Sequence, residues 1–193
     1  VGLRTDKFLL VQWTSLDYII LVLVLSIFLR THGELFLRHI FWLETGKVAG
    51  RTGPNKNLWV PAEFARVGFS AIISVNNGEL CHVDEIEKSG LAYACIPLSG
   101  NAPPRPGDRE ICLTNLPRAL EFVKKHLATG KVLIHCRSGK DRTGLLMAYY
   151  LLNERAMTVA QAMDQVWSVR PMAFSAEGWL AYCKSILNEC YAG

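Results

Sequence analysis

The run Lys131-Val-Leu-Ile-His135 is short and β-branched, and only seven residues separate it from Thr143, where an apolar helix begins and runs to Arg155. A strand feeding so directly into a helix is the opening of a βαβ unit, and it constrains the chain to a sheet with parallel strands. Apolar residues cover most sides of Thr143–Arg155, so this helix is expected at the centre of the molecule. The same texture begins after residue 40. Pro61–Val67 and Val83–Lys88 read as short helices, Ala71–Val75 and Leu91–Leu98 as buried strands. Ser99–Gly107 holds three prolines and two glycines and reads as a loop. Leu113, Leu116, Leu120, Val123 and Leu127 form one apolar helix face, with Pro117 kinking that helix or restarting it within its first turn. Thr158 and Gln161 have capping-box spacing for a helix to about Ser168, and Ser175 is placed to cap a last helix through Cys190. Strands alternating with helices imply an α/β fold, a largely parallel central sheet flanked by helices.

Phe8–Leu29 does not fit that pattern. Its 22 residues carry one charge, Asp17, and its apolar residues cover every face. About 20 such residues span a bilayer as a helix. Arg4 and Lys7 flank one side and Arg30 and Arg38 the other, with Trp13 and Tyr18 available at an interface. The segment reads either as a membrane anchor or as a buried helix, strand pair or dimer seam. The chain is therefore divided into an apolar segment, 1–39, and an α/β domain, 40–193. A chain opening on Val1 also fits one trimmed of a native leader.

At 193 residues, half of them apolar, the chain can bury a full core. A net charge of +4 is too small to argue a nucleic-acid partner and suits an anionic small ligand or an anionic membrane face. The six cysteines are too sparse for a disulfide scaffold. No CxxC pair exists and no His stands at finger spacing, so neither a metal nor a cofactor is expected. Cys81, Cys95, Cys112 and Cys183 sit among apolar residues as small core side chains do, in a reduced cytoplasmic protein.

Cys136 is different. The strand ends in His135-Cys136-Arg137-Ser138-Gly139-Lys140-Asp141-Arg142-Thr143-Gly144, and the helix follows at once. Ligands of parallel α/β sheets bind beyond the carboxyl ends of the strands. A loop entering a helix N-terminus points free N–H groups inward and adds the positive end of the helix dipole. Wrapped around a cysteine, such a loop favours the thiolate. Arg142 can close it and grip two phosphate oxygens, and Gly139 permits the backbone turn. Thr143 can hydrogen-bond the sulfur.

This C-x5-R loop, with His before it and Thr after it, resembles the signature of the cysteine-dependent protein-tyrosine and dual-specificity phosphatase superfamily over about residues 40–190. The resemblance implies that superfamily's fold and phosphomonoester hydrolysis without metal. Cys136 would be the nucleophile of a phosphocysteine intermediate. Loop N–H groups of Arg137, Ser138, Gly139, Lys140 and Asp141 would hold the phosphate together with Arg142, and His135 would tune the thiol from behind. Members of the superfamily carry a general-acid Asp soon after the strand matching Ala94–Leu98, where this chain has Gly100. Asp108, later in the same loop, is the preferred replacement, its other reading being a helix cap. Asp141 is the alternative, its other reading a carboxylate paired with a nearby cation.

Arg137 and Lys140 add two cations to the rim, which suits a phosphoinositide or inositol polyphosphate better than an isolated phosphotyrosine, while phosphotyrosine is what the resemblance to the superfamily implies by default. The expected partners are a phosphorylated protein or phosphoinositide, with membrane association through Phe8–Leu29. A rhodanese loop would be one residue shorter between Cys and Arg. A catalytically impaired phosphate-binding scaffold stands as the rival class, favoured by Gly100 and opposed by the intact Cys136, Arg142 and Thr143.

Overall fold

The computed structural model describes Leu16, Ile19, Ile20, Leu23 and residues 39–192. The chain divides into two compact units, Val1–Arg38 and His39–Gly193. In the first, Leu16, Ile19, Ile20 and Leu23 are helical and exposed. The remainder of the expected anchor Phe8–Leu29 lies outside the described residues. Among the described residues no helix is long and apolar enough to cross a membrane.

In the second unit the elements run β1 (Phe41–Glu44), β2 (Val48–Thr52), α1 (Pro61–Arg66), β3 (Phe69–Ser74), α2 (Val83–Lys88), β4 (Ala92–Cys95), α3 (Asp108–Leu127), β5 (Lys131–Cys136), α4 (Asp141–Arg155), α5 (Val159–Val169) and α6 (Trp179–Ala192). The sheet order is β1-β2-β5-β3-β4. Only β1 is antiparallel, joined to β2 by a turn at Gly46; β2, β5, β3 and β4 pair in parallel. This is the largely parallel α/β sheet that the alternating pattern implies.

Strand period divides the core in two. Val132 and Ile134 of β5, Ala71 and Ile73 of β3 and Val48 of β2 join one cluster with the buried faces of α3, α4, α5 and α6. Leu133, Ile72 and Ala49 are equally buried but stand outside that cluster, as do Trp59, Phe64 and Ile86 of the α1–α2 side. Along β5, His135 therefore continues the face of Leu133, and Cys136 continues that of Ile134. The central helix α4 is buried from Thr143 to Leu152, as its all-round apolarity requires.

Four local readings differ. Helix α3 starts at Asp108 and runs through Pro117 as one helix. Strand β4 is shorter than Leu91–Leu98 because Pro97 has no N–H; Ile96 and Leu98 still donate to the carbonyls of Ser74 and Val75. Ser175 does not cap α6, which starts at Trp179. The N–H of Ala176 is already engaged by Asp141, and Gly178 takes a left-handed φ of 76° that no regular helix accommodates. Cys95, expected in the core, is exposed on the edge strand β4. All six cysteines are free thiols.

Candidate active site

Parallel register brings three strand ends together: Thr52 of β2 lies opposite Cys136, and Ser74 of β3 lies opposite His135. From this floor the chain turns through Arg137–Lys140 into α4. Cys136 is buried, 2% exposed, at the base of the turn.

Every carbonyl of the turn is held by a partner. The Gly53 N–H donates to Arg137 O at 3.2 Å. Arg170 donates through Nη2 to Ser138 O at 3.0 Å and through Nε to Gly139 O at 2.9 Å. The Gly144 N–H donates to Lys140 O at 2.7 Å. In a trans peptide the C=O and the following N–H point in opposite directions. Carbonyls drawn toward these partners turn the N–H groups of Ser138, Gly139, Lys140 and Asp141 away from them, and such a run of N–H groups at the N-terminus of a 15-residue helix can serve as an anion cradle. Gly139 has φ 58°, and a Cβ there would stand 2.6 Å from the carbonyl oxygen of Arg51, so only glycine fits.

Beneath the cradle, His135 is fully buried. Its Nε2 lies 2.5 Å from Ser74 Oγ, which in turn lies 2.8 Å from Tyr93 OH; Cys81 Sγ is 3.6 Å from the same ring nitrogen. Trp59 meets the imidazole edge-on at 4.4 Å. Burial, with the charge of Arg51 adding to it against the backbone of Cys136, pushes the His135 pKa down to about 3. The ring is thus neutral at physiological pH. Arg51, buried opposite His135 in the β2–β5 register, packs against Trp59 and Phe64 and donates to Leu58 O. Desolvation lowers its pKa to about 10, which leaves it charged.

Arg142 and Thr143 open α4. The Thr143 hydroxyl is buried and has no hydrogen-bond partner among the described residues. Arg137 is exposed, and Lys140 is half-buried beside it. The structure thus brings Cys136, His135, Arg142, Thr143 and the loop into one place.

The two expected acids have other partners. Asp108 is 5% exposed and is the first residue of α3, after a Gly107 cap. Asn101 Nδ2 donates to both of its oxygens at 3.0 Å, and the Arg105 N–H donates to one of them at 2.6 Å. Burial pushes this carboxyl up, but the donors from Arg105 and Asn101 outweigh it and hold the carboxyl below its ordinary value. Asp141 Oδ1 accepts from the Ala176 N–H at 3.1 Å. The thiol of Cys112, one turn along α3 from Asp108, is pushed up chiefly by burial, with the charge of Asp108 adding to this and that of Arg142 opposing it.

Sequence reading missed Arg170 and Arg51. Arg170 grips two loop carbonyls from more than 30 residues away, and its guanidinium rests 4.9 Å over the Phe41 ring. The one local signal was its place at the end of an amphipathic helix, before Pro171.

Residues 53–182 match the family model described as Dual specificity phosphatase, catalytic domain. The chain belongs to this family. It is accordingly a member of the cysteine-dependent protein-tyrosine-phosphatase superfamily. It is 36% identical over 76 residues to MAP kinase phosphatase with leucine-rich repeats protein 3 of Dictyostelium discoideum, covering 35% of this chain and 9% of that protein. It is 33% identical over 60 residues to Phosphatidylglycerophosphate phosphatase PTPMT2 of Arabidopsis thaliana, covering 31% of this chain and 26% of that protein. These matches span only a minor part of each relative. Among solved structures, Tk-PTP in its active form has a TM-score of 0.64 at 23% identity, covering 80% of this chain and 97% of its own. PTPMT1 in complex with PI(5)P has a TM-score of 0.61 at 18% identity, with coverage of 80% and 97%. At such identities the likeness is one of fold.

Proposed function

We propose that this dual-specificity phosphatase domain hydrolyses phosphorylated substrates through a phosphocysteine formed on Cys136. One observation supports the reading: the carbonyls from Arg137 to Lys140 are all taken up by protein donors, which leaves the N–H groups that follow them free to meet an anion at the start of α4. Preorganised donors of this kind cost no rearrangement as charge develops on phosphoryl oxygens. The Cys136 thiolate attacks phosphorus in line with the leaving oxygen. The loop N–H groups and the planar guanidinium of Arg142 hold the equatorial oxygens. The Thr143 hydroxyl donates to the sulfur as water hydrolyses the intermediate. Arg137 and Lys140 give the rim two cations, which supports a substrate with negative charge beyond the scissile phosphate, such as phosphotyrosine in an acidic peptide or a phosphoinositide. The PTPMT1 structure with PI(5)P supports the second of these by fold alone.

The test is phosphate release from p-nitrophenyl phosphate, together with trapping of the phosphocysteine by mass spectrometry. The native chain turns over and Cys136→Ser does not, while that variant still binds inorganic phosphate. Turnover by Cys136→Ser overturns the mechanism. The second reading, a module that holds phosphate without releasing product, is favoured by the engaged state of Asp108 and Asp141. It predicts phosphate binding by the native chain with no turnover in the same assay.

A further inference from the structure

Cleaving a P–O bond leaves negative charge on the departing oxygen. An alkyl oxygen needs a proton from a positioned acid, whereas a carboxylate oxygen departs without one. An acid must carry its proton while it waits. Asp108 is arranged for the opposite state: three N–H contacts converge on its two oxygens in a site that is 5% exposed. Donors aimed at both oxygens favour the charged form, so a proton placed there competes with them. Asp141 accepts from the Ala176 N–H, a contact that ties α4 to the turn before α6. Among other carboxylates in the loops at this end, Glu79 accepts from Asn76 Nδ2, and Glu177 is exposed in the turn before α6. At Gly100 the position has no side chain, and a Cβ there would meet no atom within 4 Å.

We propose that this domain selects its substrates by the acidity of the leaving oxygen: acyl phosphates first, aryl phosphates next, alkyl phosphates last. The proposal rests on Cys136 being the nucleophile, and it assigns Asp108 to holding the loop. In the first step the S–P bond forms as the P–O bond breaks. The leaving group departs as an anion with the bonding electron pair, a carboxylate in the case of an acyl phosphate. In the second step water attacks phosphorus, the S–P bond breaks to restore the thiolate, and the water proton leaves with inorganic phosphate or solvent. A cradle built for the phosphoryl group, with Asp108 and Asp141 engaged elsewhere, performs both steps with no proton donor positioned for the leaving group among the described residues. Of the two candidate esters, phosphotyrosine is the better and a phosphoinositide, an alkyl ester, the poorer.

The experiment measures kcat/KM of the full chain on acetyl phosphate, p-nitrophenyl phosphate, phenyl phosphate and glycerol 2-phosphate, with Cys136→Ser as the background. The expected result is a fall on the order of 10³-fold or more from p-nitrophenyl to glycerol phosphate, the magnitude that an absent general acid leaves uncompensated. Asp108→Asn, Asp141→Asn and Glu177→Gln each keep the ratio of the two rates within about threefold of the native chain. Because it is a ratio, it does not depend on the fraction of folded protein. Rates within tenfold across the series overturn the inference and leave Cys136 as nucleophile. So does any of the three variants that loses activity on glycerol phosphate selectively, since that residue is then the acid. Equal rates for the native chain and Cys136→Ser on every substrate overturn the function and the inference together.

Discussion

Two loops leave the carboxyl end of the same sheet, and they are held in different ways. The turn after β5 has its carbonyls met by the backbone of Gly53 and Gly144 and by the side chain of Arg170. The loop between β4 and α3 is tied at its start to other elements, Ile96 and Leu98 donating to Ser74 O and Val75 O, Asn115 Nδ2 to Pro97 O and the Ser99 N–H to Cys112 Sγ. Further on, Asn101 and Arg105 donate to Asp108, and Trp179 Nε1 donates to Asn101 O at 2.8 Å. The first is fixed by neutral backbone acceptors and a guanidinium, so its shape does not follow pH. In the second, the stretch from Asn101 to Arg105 is gathered on one carboxylate, so the order of that stretch follows the charge of Asp108. Rigidity in the turn after β5 and charge-dependent order in the loop before α3 are separate properties of this end of the sheet.

The largest effect is expected at the clamp. Arg170→Ala leaves Ser138 O and Gly139 O without their donor, and kcat/KM on p-nitrophenyl phosphate should fall on the order of 10²-fold or more as the N–H groups lose their aim. Arg170→Lys should not restore it, because one ammonium cannot reproduce a planar grip on two carbonyls. A near-native rate in either variant would show that the turn holds its shape without help.

Gly139→Ala probes the same turn from the opposite side. The Cβ would meet the Arg51 carbonyl in a left-handed conformation, and urea denaturation should report a loss of about 1–3 kcal/mol.

The third effect is acid sensitivity beneath the turn. His135 has a folded pKa near 3 against an ordinary value of 6.5, so between those values the unfolded chain binds a proton that the native state refuses. Stability should therefore decline as pH falls through that window. His135→Gln should lose less stability than the native chain between pH 7 and pH 4.5, as measured by urea midpoints at each pH. Equal losses would place the acid sensitivity elsewhere.

The smallest effect is expected in the second loop. Asp108→Asn should cost about 1 kcal/mol. The folded carboxyl of Asp108 is depressed, so its contribution is complete above the unfolded value of about 3.9 and is lost as pH falls through the folded one. Amide exchange across residues 99–107 should rise in that acid range in the native chain, and already at neutral pH in Asp108→Asn. Unchanged exchange in the variant would remove the distinction between the two loops.

Legibility along the chain followed the range of the interactions. The Thr158–Gln161 capping box forms as its letters read, Thr158 Oγ1 accepting from Gln161 N and Gln161 Oε1 from Thr158 N, because every participant lies within four residues. The all-round apolarity of α4 was enough to place it in the core. The β1–β2 hairpin went unread because Phe41–Thr52 shows neither strict alternation nor a long apolar run; its strands are fixed by pairing with β5. The start of α6 was misplaced because the N–H of Ala176 goes to Asp141, a residue 35 positions away. At the site, Cys136, Arg142 and Thr143 were plain from their spacing. The engagement of Asp108 was not, since an Asp before a helix reads alike whether its carboxylate is open or met by donors from Asn101 and Arg105.

The turn's carbonyl partners also bear on how such a site can be moved or copied. Gly53 belongs to the segment after β2, Gly144 to α4 and Arg170 to the end of α5, and the turn passes against the Arg51 carbonyl with no room for a side chain. Transplanting the ten letters from His135 to Gly144 into another strand–helix junction would carry over the cysteine and the arginine, but only Gly144 among the partners that set the peptide planes. A graft would need a β2-like neighbour with a glycine just beyond its end and a long cation arriving from a later helix. Searches for cryptic relatives would do better to look for that spatial trio than for the motif alone.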